Sequence, residues 1–157
     1  MTNVTNQQVS IERLIESHQS TQGALLPLLH AIQDAIGFIP PESVAQIAKG
    51  LNLSRAEVHG VITYYHFFRT EKPGKHVVQI CRAESCQSCG SEELIQLAEK
   101  TLGCKVHHTT SNGSVTLEPV YCLGLCASSP AIQVDEKLHA GVTAESLREI
   151  LTQLEVK

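Results

Sequence analysis

HVVQICRAESCQSCG, residues 76–90, and LEPVYCLGLCASSP, residues 117–130, carry two cysteine pairs. Cys81 and Cys86 are spaced C-x4-C, and Cys122 and Cys126 are spaced C-x3-C. Each pair follows a short run of strand-forming residues, and the first is followed by a helix-like run. This order predicts two loops, from the ends of two strands, that meet in one place. Four thiolates on two such loops suit a metal centre, and iron–sulfur clusters are held this way because thiolate is a soft, strongly donating ligand for iron.

Outward from that core, His76 to Cys81 reads as a strand, and Ser91 reads as the cap of a helix through Leu94, Ile95, Leu97, Ala98 and Leu102, ended by Gly103. Cys104 to His108 reads as a second strand. Asn112-Gly113 marks a turn, and Val115, Leu117, Val120 and Tyr121 mark the strand beyond it. Ala131–Val134 and Leu138–Ala140 flank Asp135-Glu136-Lys137 as a hairpin. Thr143 caps a last helix with Leu147, Ile150, Leu151 and Leu154 inward. The order β-α-β-β-β-α resembles a thioredoxin-like sheet, whose small core a bound cluster would staple.

The sequence before this region has a different period. Residues 1–9 read as a loose polar tail, and Ser10 as the cap of a helix with Ile11, Leu14 and Ile15 on one face. Leu25, Leu28, Leu29, Ile32, Ala35 and Ile36 define a second helix, with Pro27 in its first turn and Gly37 as its stop. Pro40 and Pro41 open a third, with Val44, Ile47 and Ala48 inward and Gly50 closing it. Ser54-Arg55-Ala56-Glu57 is a capping box for a fourth, whose apolar face is Val58, Val61, Ile62 and Tyr65. The charged, Pro-Gly-broken segment Thr70–Lys75 is a boundary. The predicted fold class is therefore α+β: a helical region over 1–73, then an α/β domain over 74–157.

Composition narrows the function. The chain has 157 residues and a formal net charge of −4, with acidic and basic residues interspersed and no basic block to neutralise a row of phosphates, which argues against nucleic acid. No apolar run approaches a membrane span. The N-terminus MTNVTNQQVS lacks a secretory pattern, so a reducing cytoplasm is the expected location, where six cysteines serve as metal ligands or redox groups rather than disulfides. Neither a G-x-G-x-x-G after a strand nor a Walker loop is present, and no nucleophile triad has support. His107 and His108 are adjacent, would point to opposite faces of a strand, and read as surface residues. His59, Tyr64, Tyr65, His66, Phe67 and Phe68 form an aromatic patch shared between core and interface. Cys104 reads as a buried small hydrophobe.

Spacing alone leaves four readings of the cysteines open. Cys81, Cys86, Cys122 and Cys126 suit a 2Fe–2S cluster. Cys81, Cys86 and Cys89 reproduce the C-x4-C-x2-C spacing of plant-type ferredoxins. Cys86-Gln-Ser-Cys89 before a helix resembles a thioredoxin dithiol. Four cysteines also suit structural zinc, in which case the domain would be an interaction module.

Beyond the cysteines, GALLPLLHAIQDAIGFIP (23–40), LNLSRAEVHGVITYYHFF (51–68) and TTSNGSVTLEPVYCLGLC (109–126) carry a resemblance that covers the chain from about residue 10 to residue 155. The chain resembles the family of the small 2Fe–2S subunit of respiratory complex I. That family also contains the diaphorase subunits of NAD-reducing hydrogenases and the gamma subunit of NAD-dependent formate dehydrogenases. The wording CRAESCQSCG and LEPVYCLGLC is most similar to the formate dehydrogenase branch. The resemblance implies a thioredoxin-like fold and a 2Fe–2S cofactor held by Cys81, Cys86, Cys122 and Cys126. It also implies a non-catalytic, electron-transferring role in an NAD-linked oxidoreductase. The implied partners are a flavoprotein subunit with FMN, the NAD site and another cluster, onto which the helical unit docks, and a larger molybdenum or tungsten formate dehydrogenase subunit. Two features depart from the family: Cys89 stands where it usually has no cysteine, and Ser128-Ser129-Pro130 follows the last pair where formate dehydrogenase relatives often carry a further cysteine and a glycine.

Overall fold

The computed structural model describes residues 2–155, with side chains from Ser10 to Leu154. The chain divides into two compact units, Met1–Lys72 and Pro73–Lys157.

The first unit holds four helices: α1 (Thr2–His18), α2 (Leu25–Ile36), α3 (Val44–Gly50) and α4 (Arg55–Tyr64), with a 3-10 turn at Pro41–Ser43 before α3. The helix of α1 starts at Thr2, so Ser10 lies inside it and is not its cap, and the expected tail is helical from Thr2 onward. No Gly or Pro interrupts TNVTNQQVS, and nothing there stops a helix from extending. Met1 lies outside the described residues. Gly37 ends α2 with φ 92°, a left-handed geometry that glycine adopts without penalty, and its N–H donates to Gln33 O at 2.7 Å. Gly50 lets α1 approach α3, because a Cβ there would overlap Ile15 Cγ2. In α4 the capping box forms: Ser54 Oγ accepts from the Glu57 N–H at 3.2 Å, and Glu57 Oε2 accepts from the Ser54 N–H at 2.8 Å.

Ile11, Ile15, Leu28, Leu29, Ile32, Ile39, Ile47, Val58, Ile62 and Phe68 form the core of this unit. Buried Gln33 ties the segment after α4 to α2: its Nε2 donates to Phe67 O at 2.9 Å and its Oε1 accepts from the Arg69 N–H at 2.7 Å. Tyr65 does not join the inward face. It caps the C-terminus of α4 with 42% of its surface exposed, and Tyr64 and Phe67 are exposed as well.

The second unit is a five-stranded sheet, β1 (His76–Cys81), β2 (His108–Thr109), β3 (Val115–Val120), β4 (Ile132–Val134) and β5 (Lys137–His139), in the order β2-β3-β1-β4-β5. Helices α5 (Glu84–Ser88), α6 (Ser91–Leu102) and α7 (Ala144–Glu155) complete it. Central β1 runs parallel to β3, with His76 opposite Val115 and Cys81 opposite Val120, and antiparallel to β4. Parallel neighbours put their carboxyl ends at the same edge, so β1 and β3 both deliver their following loops there. Val78, Ile80, Leu117 and Ile132 from the sheet and Leu94, Ala98, Leu147 and Leu151 from α6 and α7 share one core. The parallel partner of β1 is thus β3. β2 shrinks to two residues on the edge, because His107 takes φ 65° and cannot continue a strand from Cys104. Ser91 is the first residue of α6 and not its cap. The cap is Gly90 at φ 92°, and Ser91 Oγ is buried with no hydrogen-bond partner among the described residues. Thr143 caps α7, its Oγ1 accepting from the Ser146 N–H at 3.2 Å. Among the described residues, no helix is long and apolar enough to cross a membrane.

Candidate metal centre

The loops that leave β1 and β3 carry the cysteines. Cys81 is the last residue of β1, and Cys86 lies in α5, a single short helix absent from the pattern of apolar residues. Both are buried, each 2% exposed, against Ala131, with Ala83, Val120, Leu123 and Leu125 packed around them. Cys122 and Cys126 are exposed, with their sulfurs 3.9 Å apart. Two thiolates on one tetrahedral metal, with bonds of about 2.3 Å, stand about 3.8 Å apart. The second pair therefore has the separation that a shared metal ion requires. Among the described residues no three His, Cys, Asp or Glu side chains gather to hold one ion, and the donors present themselves as pairs.

Backbone geometry shapes these loops. Cys122 takes φ 111°, a conformation uncommon for a residue with a Cβ, and Gly124 follows at φ 76°. That path turns the Gly124 N–H onto Cys122 Sγ at 3.3 Å. Hydrogen bonds also tie the loops to their neighbours. The Cys81 N–H donates to Ala131 O at 3.1 Å, the Arg82 N–H to Val120 O at 2.7 Å, and Ser85 Oγ to Cys126 O at 3.1 Å.

The thiols sense one another. Cys126 is held above its ordinary pKa, chiefly by the hydrogen bond to Cys122 and the Cys122 charge, with smaller increments from burial and from Cys86 and Cys81. For Cys86, burial pushes the thiol up, but contacts with Ser129 Oγ, the Ala131 backbone and Cys81 outweigh it and hold the thiol below its ordinary value. Sulfurs brought this close together, with N–H and O–H donors beside them, are suited to a cationic centre.

Cys89 is exposed at the C-terminal end of α5, with its N–H donating to Ser85 O at 3.1 Å and Cys86 O at 3.2 Å. Cys104 packs at the edge of the sheet core, and burial followed by the Glu99 charge raises its pKa. His107 and His108 are exposed, and His107 Nδ1 pairs with Glu118 Oε2 at 2.7 Å. Sequence reasoning missed the Arg82–Glu92 ion pair and the Ser85–Ser129 hydroxyls, since neither follows a helical or strand period.

Residues 11–155 match the family pattern described as thioredoxin-like [2Fe-2S] ferredoxin. A subunit of the NADH-quinone oxidoreductase of Rhizobium meliloti (strain 1021) is 34% identical over 141 residues, which are 90% of this chain and 84% of the relative. A subunit of the NADH-quinone oxidoreductase of Aquifex aeolicus (strain VF5) is 34% identical over 83% of this chain and 81% of its own length. The NADP-reducing hydrogenase subunit HndA of Solidesulfovibrio fructosivorans is 27% identical over 91% and 84%. Among solved structures, the NAD+-reducing [NiFe]-hydrogenase in the H2-reduced state superposes on 82% of this chain with a TM-score of 0.69 and 16% identity. This chain spans only 22% of that hydrogenase chain, and the likeness is one of fold.

Proposed function

The chain belongs to the thioredoxin-like [2Fe-2S] ferredoxin family, with a 2Fe–2S cluster as its cofactor, and on that footing we propose that it is the electron-transfer subunit of a multisubunit, NAD-linked oxidoreductase. The observation that carries this reading is the pair of cysteine loops at the shared carboxyl edge of β1 and β3. We assign Cys81, Cys86, Cys122 and Cys126 as the four residues that would hold the cluster. When bound, the cluster passes electrons singly. The chain's own residues do the rest. Buried Cys81 and Cys86 anchor one side in apolar surroundings. Exposed Cys122 and Cys126 mark the face through which a partner's redox group would exchange electrons. The Gly124 N–H offers a dipole to a ligand sulfur.

The named relatives belong to NADH-quinone oxidoreductase and to hydrogenase. A flavoprotein subunit with FMN and the NAD site is accordingly the partner we propose. Within this class, the wording CRAESCQSCG and LEPVYCLGLC favours the gamma subunit of an NAD-dependent formate dehydrogenase, with a molybdenum or tungsten subunit in the assembly and a cytoplasmic location. The test is reconstitution. The isolated chain should neither bind NADH by calorimetry nor be reduced by it, and adding the flavoprotein subunit should let NADH bleach the cluster's visible absorbance. Tight NADH binding by this chain alone would overturn the reading.

A further inference from the structure

Ser129 lies just past the second cysteine pair, yet it faces the first. Its Oγ is 3.5 Å from Cys86 Sγ, 2.9 Å from Ser85 Oγ and 3.1 Å from Cys126 O. Ser85 Oγ also reaches Cys126 O, at 3.1 Å. Two hydroxyls thus share two protons among one carbonyl, one sulfur and each other. A charged acceptor draws a donor more strongly than a neutral one. The Ser85 hydroxyl serves Cys126 O, so that carbonyl keeps a donor when the Ser129 proton turns to Cys86 Sγ, and a sulfur carrying ligand charge draws that proton more strongly than a neutral carbonyl.

We propose that Ser129 is a positioning residue for electron transfer: its hydroxyl donates to the Cys86 sulfur and raises the reduction potential of the 2Fe–2S centre. The inference rests on the assignment of Cys86 as a ligand. Reduction adds one electron and places more negative charge on the ligand sulfurs, so a donor aimed at sulfur stabilises the reduced form more than the oxidised one. The proton stays on Ser129 throughout. Cys86 is buried beside Cys81 and Ala131, so solvent does not stand in for the Ser129 hydroxyl. Ser85 contributes by donating to the same Cys126 carbonyl, which keeps that acceptor partnered when the Ser129 proton turns to sulfur.

The experiment is an EPR-monitored redox titration of the cluster-loaded full chain and of Ser129→Ala, Ser129→Thr, Ser85→Ala and Cys86→Ser, with iron and sulfide assayed in each. Ser129→Ala should keep its cluster and show a more negative midpoint. The expected loss in the reduction equilibrium constant is up to about tenfold, which is about 59 mV for one electron. Ser129→Thr, which keeps the hydroxyl, should return the wild-type midpoint, and Ser85→Ala should move it less than Ser129→Ala. An unmoved or more positive midpoint in Ser129→Ala would overturn the proposal. So would cluster loss in both Ser129 variants, which would make the residue purely structural. If Cys86→Ser is spectroscopically silent even when combined with Cys89→Ser, the ligand assignment fails and this inference falls with it. If Cys86→Ser alters the spectrum while Ser129→Ala leaves the midpoint alone, the ligands stand and only the role of Ser129 is lost.

Discussion

Arg82 grips Glu92 with two hydrogen bonds, Nε to Oε1 at 2.7 Å and Nη2 to Oε2 at 3.1 Å. This joins the residue next to Cys81 to the first turn of α6. The Arg82 N–H meanwhile donates to Val120 O at 2.7 Å, at the end of β3. One residue therefore links both cysteine loops to the helix behind them. The Glu92 hydrogen bonds hold the guanidinium above its usual pKa despite burial, and Tyr121, the residue before Cys122, adds to the effect.

Loosening that grip should loosen the metal centre. Both side chains are about a third exposed, so the pair contributes on the order of 0.5–1 kcal/mol. Arg82→Gln and Glu92→Gln should each release iron to a chelator a few-fold faster than wild type, as followed by the decay of visible absorbance. The double variant should release it no faster than the worse single one, because the two residues act through one contact. Strictly additive effects would show that they act separately.

The capping box of α4 yields a pH-dependent prediction. Hydrogen bonds from the Ser54 N–H and hydroxyl hold the Glu57 carboxyl below its usual value of 4.5. A carboxylate with a depressed folded pKa contributes stability that is present above 4.5 and lost as pH falls through the folded value. Ser54→Ala should cost about 1 kcal/mol at pH 7 by denaturant unfolding. Glu57→Gln should flatten the stability profile below pH 5. A slope identical to wild type would dismiss the role of the box.

Much of the fold can be read from the chain because local signals agree with the tertiary result. Gly37, Ser54, Gly103 and Thr143 punctuate helices by backbone chemistry that acts within a turn, and strands β1 and β3 are dense in buried aliphatic residues. What stays hidden depends on space rather than on period. α5 has five residues, too few for an apolar stripe. Ser91 has the composition of a cap, but the left-handed turn at Gly90 supplies the helix start and buries the serine. The meeting of the two cysteine loops is legible from the strand that precedes each pair, and its structural cause is that β1 and β3 are parallel neighbours. At the candidate centre, the cysteine spacings are visible in sequence. The hydroxyl of Ser129 on Cys86 and the Arg82–Glu92 pair, ten positions apart, emerge only when the loops are folded.

The two remaining cysteines separate our ligand set from its rivals. Cys89 is exposed at the end of α5, and Cys104 packs against the sheet core rather than with Cys81, Cys86 and Ala131. Cys89→Ser and Cys104→Ser should leave iron content and EPR near wild type. Cys81→Ser, Cys122→Ser and Cys126→Ser should lose the cluster or shift its spectrum strongly, since oxygen ligands hold a reduced iron centre less well than thiolate. Cys86→Ser should be milder if Cys89 replaces it. Iron loss in Cys89→Ser, with Cys122→Ser or Cys126→Ser silent, would identify the plant-type ligand set instead.

Whether one 2Fe–2S centre sits on four thiolates of this chain is decided by metal and acid-labile sulfide analysis of anaerobically purified protein, paired with EPR after dithionite reduction. About two irons and two sulfides per chain are expected, with a spin-half signal on reduction. Stoichiometric zinc with no labile sulfide and no signal would contradict it.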